Sequence, residues 1–324
     1  MTDLKSIFIE RAQEKRPTIV FPEAESETVA LAAAKAEELG ICRSVLLGNA
    51  DAIRGFVADA DVEIIDLESD GALVEKMAAI YATREDFPLE VAVGMMQNKI
   101  NFACMYVAAD YADAIVCGYT CATADAVLAA QEFIGLAEGS TMPNAYVIVE
   151  PDNFTGGEDG RLIYADPVMV VQPNSEELAS IALNTAASAE KLLGWEPRVA
   201  CLSYSTKGSG NSPDAEKVRR AVEIVRELRP DLLIDGELQL DSAIVPRVSE
   251  KKIKGDNILK GTANILVFPD CDAGNITVKA TTLFANGGGT FAVMCGFAKP
   301  MGEISRNSDV DGMVFSTAVT AAQC

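Results

Sequence analysis

The sequence predicts an α/β fold of two domains, with mainly parallel sheets flanked by helices and a cleft between them. Three observations carry this. Short apolar runs alternate with helical patterns almost throughout the chain, which is how strand–crossover helix–strand units are written. The 324 residues suffice for two hydrophobic cores. The run Ser203-Tyr204-Ser205-Thr206-Lys207-Gly208-Ser209-Gly210-Asn211 stands between an apolar strand and an amphipathic helix. In open α/β sheets ligands bind at the carboxyl ends of strands. Glycines let a backbone approach such a ligand, and amides with a lysine favour an anion. The GxxxxGK[ST] order of a nucleoside-triphosphate loop is absent.

The elements follow in order. Thr18–Phe21 is an apolar strand stopped by Pro22; Ser26 is a candidate cap for a helix to Glu38, with Gly40 beyond it. Ser44–Leu47 and Val62–Ile65 are strands, and Ala72–Arg84 and Leu89–Met96 are helices. Asp113–Gly118 is a strand that leads into a helix from Thr123 to about Ile134. Pro151–Arg161, rich in Gly, Asp and Asn, is a hairpin or a loop insertion. Ser175–Leu193 is a long helix with Ser175 as its cap. Then come a strand at Arg198–Cys201, a helix at Asp214–Arg229, and strands at Leu232–Ile234 and Ile265–Phe268. A helix at Asn275–Asn286 runs into Gly287-Gly288-Gly289, Phe291–Met294 is a strand, and Val310–Gln323 is the last helix.

Composition excludes several functions. The formal charge of −21 disfavours nucleic acid and anionic membranes as partners. An anionic small ligand needs a local cluster of Lys and Arg. No apolar run approaches the ~20 residues of a bilayer span, and the opening residues lack a signal-peptide layout, so cytoplasm is the expected location. The eight cysteines are scattered, without a CxxC pair, as expected of reduced, mostly buried thiols. Cys117 and Cys121 are spaced to face each other on a helical turn, but two sulfurs do not make a metal site. No metal-ligand cluster is evident. Histidine is absent altogether, which removes Ser-His-Asp, Cys-His and His-metal chemistry. A general base must then be Asp, Glu, Lys, Tyr or Cys.

Five segments fall at strand ends: Gly118-Tyr119-Thr120, Ser203–Asn211, Asp235–Asp241, Phe268–Asn275 and Lys299–Arg306. Together they resemble the phosphate acetyltransferase (phosphotransacetylase) family. The strings LSYSTKGS, DGELQxDxAIVP and FPDxxxGNI carry the resemblance. Lys299-Pro300 to Ser305-Arg306 is similar to the family's KPxxDLSR, with Glu303 in place of its Asp. The similarity runs from Phe21-Pro22-Glu23 to Gln323.

That resemblance implies a reversible reaction, acetyl-CoA plus phosphate giving acetyl phosphate plus CoA, through a ternary complex without an acyl-enzyme. Coenzyme A is a substrate, and no bound cofactor is implied. It implies a first domain of residues 1–138 plus 297–324, a second of 139–296, and a homodimer. Arg306 matches the phosphate-binding arginine, Ser305 the serine that assists the carbonyl, and Arg84 a second cleft arginine. Ser205, Thr206, Lys207, Gly208, Ser209 and Asn275 would line the substrate site. By itself, Arg84 also fits a helix end, where a cation complements the dipole. The family's base, an aspartate after the Ser-Arg pair, falls on Gly312; Asp311 is the adjacent candidate and Asp309 is near. A further family arginine falls on Leu128, and the Gly-Pro-x-x-Gln-Gly segment is Phe291–Gly296 here.

Three functional classes are therefore in play. The first is a phosphate acyltransferase, with acetyl as the default group and propionyl or butyryl as larger alternatives. The second is a non-catalytic member that binds CoA or an acyl phosphate. The third is a nicotinamide-dependent dehydrogenase, for which the strand-borne GxGxxG is missing.

Overall fold

The computed structural model describes residues 4–287 and 292–324. The chain divides into two compact units, one formed by residues up to Glu138 together with Phe297–Cys324, the other by Gly139–Gly296.

The first unit begins with α1 (Leu4–Lys15), β1 (Thr18–Phe21), α2 (Glu27–Glu38), β2 (Arg43–Leu47), α3 (Ala50–Phe56) and β3 (Glu63–Ile65). Then come α4 (Gly71–Glu85), α5 (Leu89–Met96), α6 (Lys99–Ala108), β4 (Ala114–Cys117) and α7 (Thr123–Phe133). In the second unit lie β5 (Asn144–Val149), β6 (Leu162–Ala165), α8 (Ser175–Ser188), β7 (Arg198–Leu202), α9 (Pro213–Leu228) and β8 (Leu233–Leu238). It continues through α10 (Leu240–Ile244), α11 (Pro246–Lys252), β9 (Ile265–Val267), α12 (Cys271–Ala285) and β10 (Ala292–Cys295). The chain then returns to the first unit as β11 (Met301–Glu303) and α13 (Val310–Gln323).

The first sheet has the order β11-β4-β1-β2-β3, and every pairing is parallel. Parallel strands are buried on both faces, so they read as short continuous apolar runs. From β1 the chain crosses to β2 on one side, whereas β4 lies on the other. The carboxyl ends of β1 and β4 therefore flank a switch point, the preferred ligand site of such sheets. Ile19, Phe21, Ala114 and Val116 pack in one core with Val29 and Ala33 of α2 and Met313, Ala318 and Ala321 of α13. Helix α13 packs on α1 and α2. Gly302 makes this closure possible, because a Cβ there would lie 2.0 Å from Thr320 Oγ1. Phe8, Phe21, Phe102 and Phe133 are fully buried, each contributing about 1.5–3 kcal/mol.

The second sheet has the order β10-β5-β6-β9-β7-β8. Strands β6, β9, β7 and β8 are parallel neighbours, while β10–β5 and β5–β6 are antiparallel. The Pro151–Arg161 stretch is thus the loop of a hairpin. Helix α9 buries Ala215, Val218, Ala221, Val222 and Val225, the stripe of a 3.6-residue period.

Three expected helix starts need correction. Ser26 occupies the cap position of α2 without a side-chain cap bond. The cap of α8 is Asn174, in a reciprocal box with Glu177, rather than Ser175. That helix leaves α geometry at Ser188, and a wider turn covers Ala189–Leu193. Helix α12 starts at Cys271, capped by Asp270, so Asn275 lies within it rather than at its start. Gly288, Gly289 and Phe291 of the predicted glycine run and strand lie outside the described residues.

Candidate active site

In the first unit the Ser305–Arg306 pair sits just beyond β11, exposed, at the carboxyl end of the parallel sheet. Ile304 N–H donates to the Cys117 carbonyl at 2.8 Å, which ties this loop to the end of β4. Gly118 adopts a φ of +103°, and a Cβ there would stand 3.0 Å from Glu303 Cγ and 3.3 Å from the Ile304 carbonyl. A residue with a side chain would push the two loops apart. The Thr123 hydroxyl donates to Glu303. Arg306 Nη2 reaches the Cys121 carbonyl at 3.5 Å. None of the ion pairs among the described residues includes Arg306.

The loop after β4 is itself built around Glu23, a carboxylate two residues past β1. Its Oε2 accepts from Gly118 N–H at 2.7 Å and Tyr119 N–H at 2.9 Å. Its Oε1 accepts from Thr120 N–H at 2.6 Å, the Thr120 hydroxyl at 2.5 Å and Cys121 N–H at 2.7 Å. Burial pushes the Glu23 carboxyl upward, but these donors outweigh it and hold the group below its ordinary range. A cavity of about 570 Å³ opens beside it, lined among others by Glu25, Ser26, Lys99, Thr120 and Cys121.

The sulfurs of Cys117 and Cys121 do meet, but across this strand-end loop rather than on a helical turn. The hydrogen bond from Cys117 holds the Cys121 thiol below its ordinary value, and the same bond, with burial, pushes Cys117 up. Burial raises Cys42 and Cys201 to about 12.

Two first-unit candidates are engaged elsewhere. Asp311, in the first turn of α13, pairs with Lys35 of α2 at 2.7 Å. The Lys35 hydrogen bond holds its carboxyl low, which weakens it as a base. Asp309 caps α13 by accepting from Gly312 N–H at 2.8 Å. Arg84 donates to the carbonyls of Phe133 and Glu132 at 2.8 and 3.2 Å and to Glu85 at 2.7 Å. It thus lies in the last turn of its own helix, as expected, and also complements the dipole of α7. Arg306 meets the chain just before α7 begins, and α7 spans 11 residues. Arg84 thus reaches the carbonyls at the end of α7, and Arg306 a carbonyl ahead of its start. Leu128, at the position of a family arginine, is an exposed leucine on α7.

In the second unit the Ser203–Asn211 loop follows β7, as predicted, but the donors of Ser205 to Gly210 are largely engaged within the unit. Glu237 of β8 is buried, and its Oε1 accepts from the Ser205 hydroxyl at 2.6 Å, Gly208 N–H at 2.8 Å and Arg219 at 3.1 Å. Burial raises this carboxyl, yet the donors prevail and hold it below its ordinary value. Lys207, at a φ of 48°, pairs inward with Asp235, which Arg226 also contacts at 2.9 Å. The Ser209 hydroxyl accepts from Thr206 N–H at 3.0 Å, and Thr206 Oγ1 accepts from Gln239 N–H at 3.0 Å. The expected anion cradle therefore already holds an anion, the protein's own Glu237. Asn275 donates to the Pro167 carbonyl at 3.1 Å and clips α12 to the segment after β6.

Sequence reasoning missed Glu23 and Glu237 as organisers of these loops. The signal was a carboxylate at or just after an apolar strand, next to a glycine- and hydroxyl-rich loop. Its pairing spans 95 residues or more for Glu23 and cannot be read locally.

Comparison with known proteins agrees with this architecture. The family described as "Phosphate acetyl/butaryl transferase" matches residues 3–321. A phosphate acetyltransferase of Thermoanaerobacterium thermosaccharolyticum is 40% identical over 329 residues, covering 100% of this chain and 99% of that protein. A phosphotransacetylase structure from Streptococcus pyogenes superposes with a TM-score of 0.91 at 34% identity, covering 99% of each chain. The EutD phosphotransacetylase structure from Staphylococcus aureus gives 0.87 at 29% identity, again covering 99% of each. The chain belongs to the phosphate acetyl/butaryl transferase family.

Proposed function

We propose that this chain transfers an acetyl group between coenzyme A and inorganic phosphate, acetyl-CoA plus phosphate giving acetyl phosphate plus CoA, in either direction. The observation that carries this is the exposed Ser305–Arg306 tip, whose guanidinium has no carboxylate partner among the described residues. Arg306 offers a planar fork to phosphate oxygens. Ser305 stands beside it and polarises the thioester carbonyl, where negative charge develops in the transition state. A phosphate oxygen attacks that carbonyl, the carbon–sulfur bond breaks, and CoA leaves as thiolate. The transfer is direct and leaves no acyl group on the protein.

In the acetyl-CoA-forming direction the CoA thiol must first lose its proton, from a pKa near 8.5. Asp311 is tied to Lys35 and held low, which supports bulk solvent as the proton acceptor. The rate then follows the thiolate fraction, rising about tenfold per pH unit from pH 6 to 8. A thiol-release assay with acetyl phosphate and CoA tests the whole proposal. Turnover well above background is expected. No turnover with acetyl, propionyl or butyryl donors would leave a protein that binds these ligands without reaction.

The proposal extends to a cytoplasmic homodimer. Ile276, Leu283 and Phe284 line an exposed apolar face of α12, of the kind that subunit contacts cover. Light scattering at monomer mass would exclude this assembly.

A further inference from the structure

We infer that Glu23 is a positioning residue for Arg306 and Ser305, an inference that rests on the phosphate role proposed for Arg306. Three strand-end loops of the first unit form one connected set. Glu23, after β1, collects five donors from Gly118–Cys121, after β4. That loop presents the Cys121 carbonyl to Arg306 and takes the Ile304 amide on the Cys117 carbonyl at its base. Gly118 lies so close to Glu303 and Ile304 that a Cβ there would stand 3.0 Å from Glu303 Cγ and 3.3 Å from the Ile304 carbonyl. The carboxylate is therefore one step removed from the arginine it orients.

The electrostatics fit this role and exclude a more direct one. Glu23 is 8% exposed and faces donors from four successive residues, so its lone pairs are occupied and it cannot serve as the proton acceptor. Glu25 and Lys99, which line the same cavity, pair with each other. Among the described residues no cation pairs with Glu23; amides, the Thr120 hydroxyl and the Cys121 thiol satisfy it. An amide in its place would turn an N–H₂ group toward N–H donors. The loop would have to move to escape that donor–donor opposition.

The test uses the full chain and two readouts. In calorimetry with inorganic phosphate alone, Glu23→Gln should weaken phosphate binding at least about tenfold while CoA affinity stays within about twofold, since displacing a group by about 1 Å is enough for such losses. In the thiol-release assay, kcat/KM for phosphate or acetyl phosphate should fall with it, whereas KM for CoA should not. A purely structural role would lower the melting temperature and leave this split between the two substrates flat. Glu25→Gln, on the same cavity, should leave the kinetics unchanged. If Glu23→Gln does not fold, Thr120→Val decides, because it removes the hydroxyl donor to Glu23 alone; weaker phosphate binding supports the inference and unchanged binding overturns it. Wild-type phosphate affinity in Glu23→Gln also overturns it. A wild-type protein that binds phosphate but turns over no acyl donor defeats the proposed reaction and leaves calorimetry to judge the positioning role. No phosphate binding by the wild-type protein overturns the inference together with the role of Arg306.

Discussion

The two units solve one problem with the same device and different materials. In each, a glutamate at or just beyond the end of a strand gathers the loop that follows a neighbouring parallel strand. Glu23 gathers the loop after β4, and Glu237 gathers the loop after β7. Both carboxyls are buried, and both are held below their ordinary range by the donors they collect. The difference lies in the cations. The first unit satisfies Glu23 with amides and a hydroxyl, and among the described residues its Arg306 has no ion-pair partner. The second unit places Arg219 on Glu237 and both Lys207 and Arg226 on Asp235. A glycine- and lysine-bearing loop is thus no sign of anion binding unless its donors are left over after folding. By that criterion Ser305–Arg306 is the candidate for the proposed chemistry, while the second-unit loop is bound up in its own contacts.

The largest expected effect is on turnover. Arg306→Ala should lower kcat/KM for phosphate about a hundredfold, or ~2.7 kcal/mol, and Arg306→Lys at least about tenfold, because lysine keeps the charge but not the fork. Near-wild-type kinetics in a folded Arg306→Ala protein would break the comparison.

Next comes Glu237→Gln, which should act on stability and not on turnover. Its cost should be about 2 kcal/mol in urea unfolding at pH 7, since a buried acceptor of a hydroxyl, an amide and a guanidinium is weakened. The pH dependence has a definite sign. A folded carboxyl held low contributes stability that is present above the unfolded pKa, near 4.3, and is lost as pH falls through the folded value. The wild-type protein should therefore lose stability below about pH 4.3, and less steeply so in the glutamine variant. Identical acid limbs for the two proteins would refute the role given to Glu237.

Lys207→Met should be milder, costing about 1 kcal/mol, because Arg226 remains on Asp235. Phosphate KM should stay within about twofold; a large rise would return Lys207 to the substrate site. Smallest of all, Asp311→Asn should change turnover by less than about twofold, since this carboxylate is exposed on Lys35. A steep loss, with an altered pH–rate profile, would identify Asp311 as the base after all.

Much of the fold was legible because the physics that writes it is local. Strand β1 and helices α5 and α13 have the predicted bounds, marked by apolar runs, Pro22 and the apolar period. Helix α1 escaped notice because only Leu4, Phe8 and Ala12 are buried, a stripe too thin to stand out. Helix α6 is buried from Phe102 to Val107 without a polar face, so it lacks a helical period. Strand β11 is Met-Gly-Glu, three residues given their conformation by pairing with β4. The Asn174–Glu177 capping box is readable in the sequence, where Ser175 competes with it as a cap. At the candidate site, Ser305 and Arg306 stand out through motif resemblance, while their exposure is visible only in the structure. The fate of Arg84, Lys207 and Asp311 is not legible in the sequence. Each is decided by a partner distant in sequence, such as the Phe133 carbonyl, Asp235 or Lys35.

The order of synthesis gives the returning segment a further consequence. Residues 297–324 are made only after Gly139–Gly296, yet they supply an edge strand and a covering helix to the first unit. Until they emerge from the ribosome, β4 presents an open parallel edge, and α1 and α2 lack the partner they pack on. The second unit is complete in sequence before the first can close, so a nascent chain carries a folded interior module inside an unfinished one. Open edges recruit other chains, which makes the interval before α13 docks the moment of greatest exposure to aggregation. The same segment carries Arg306, so the arginine proposed to hold phosphate arrives with the piece that closes the first unit.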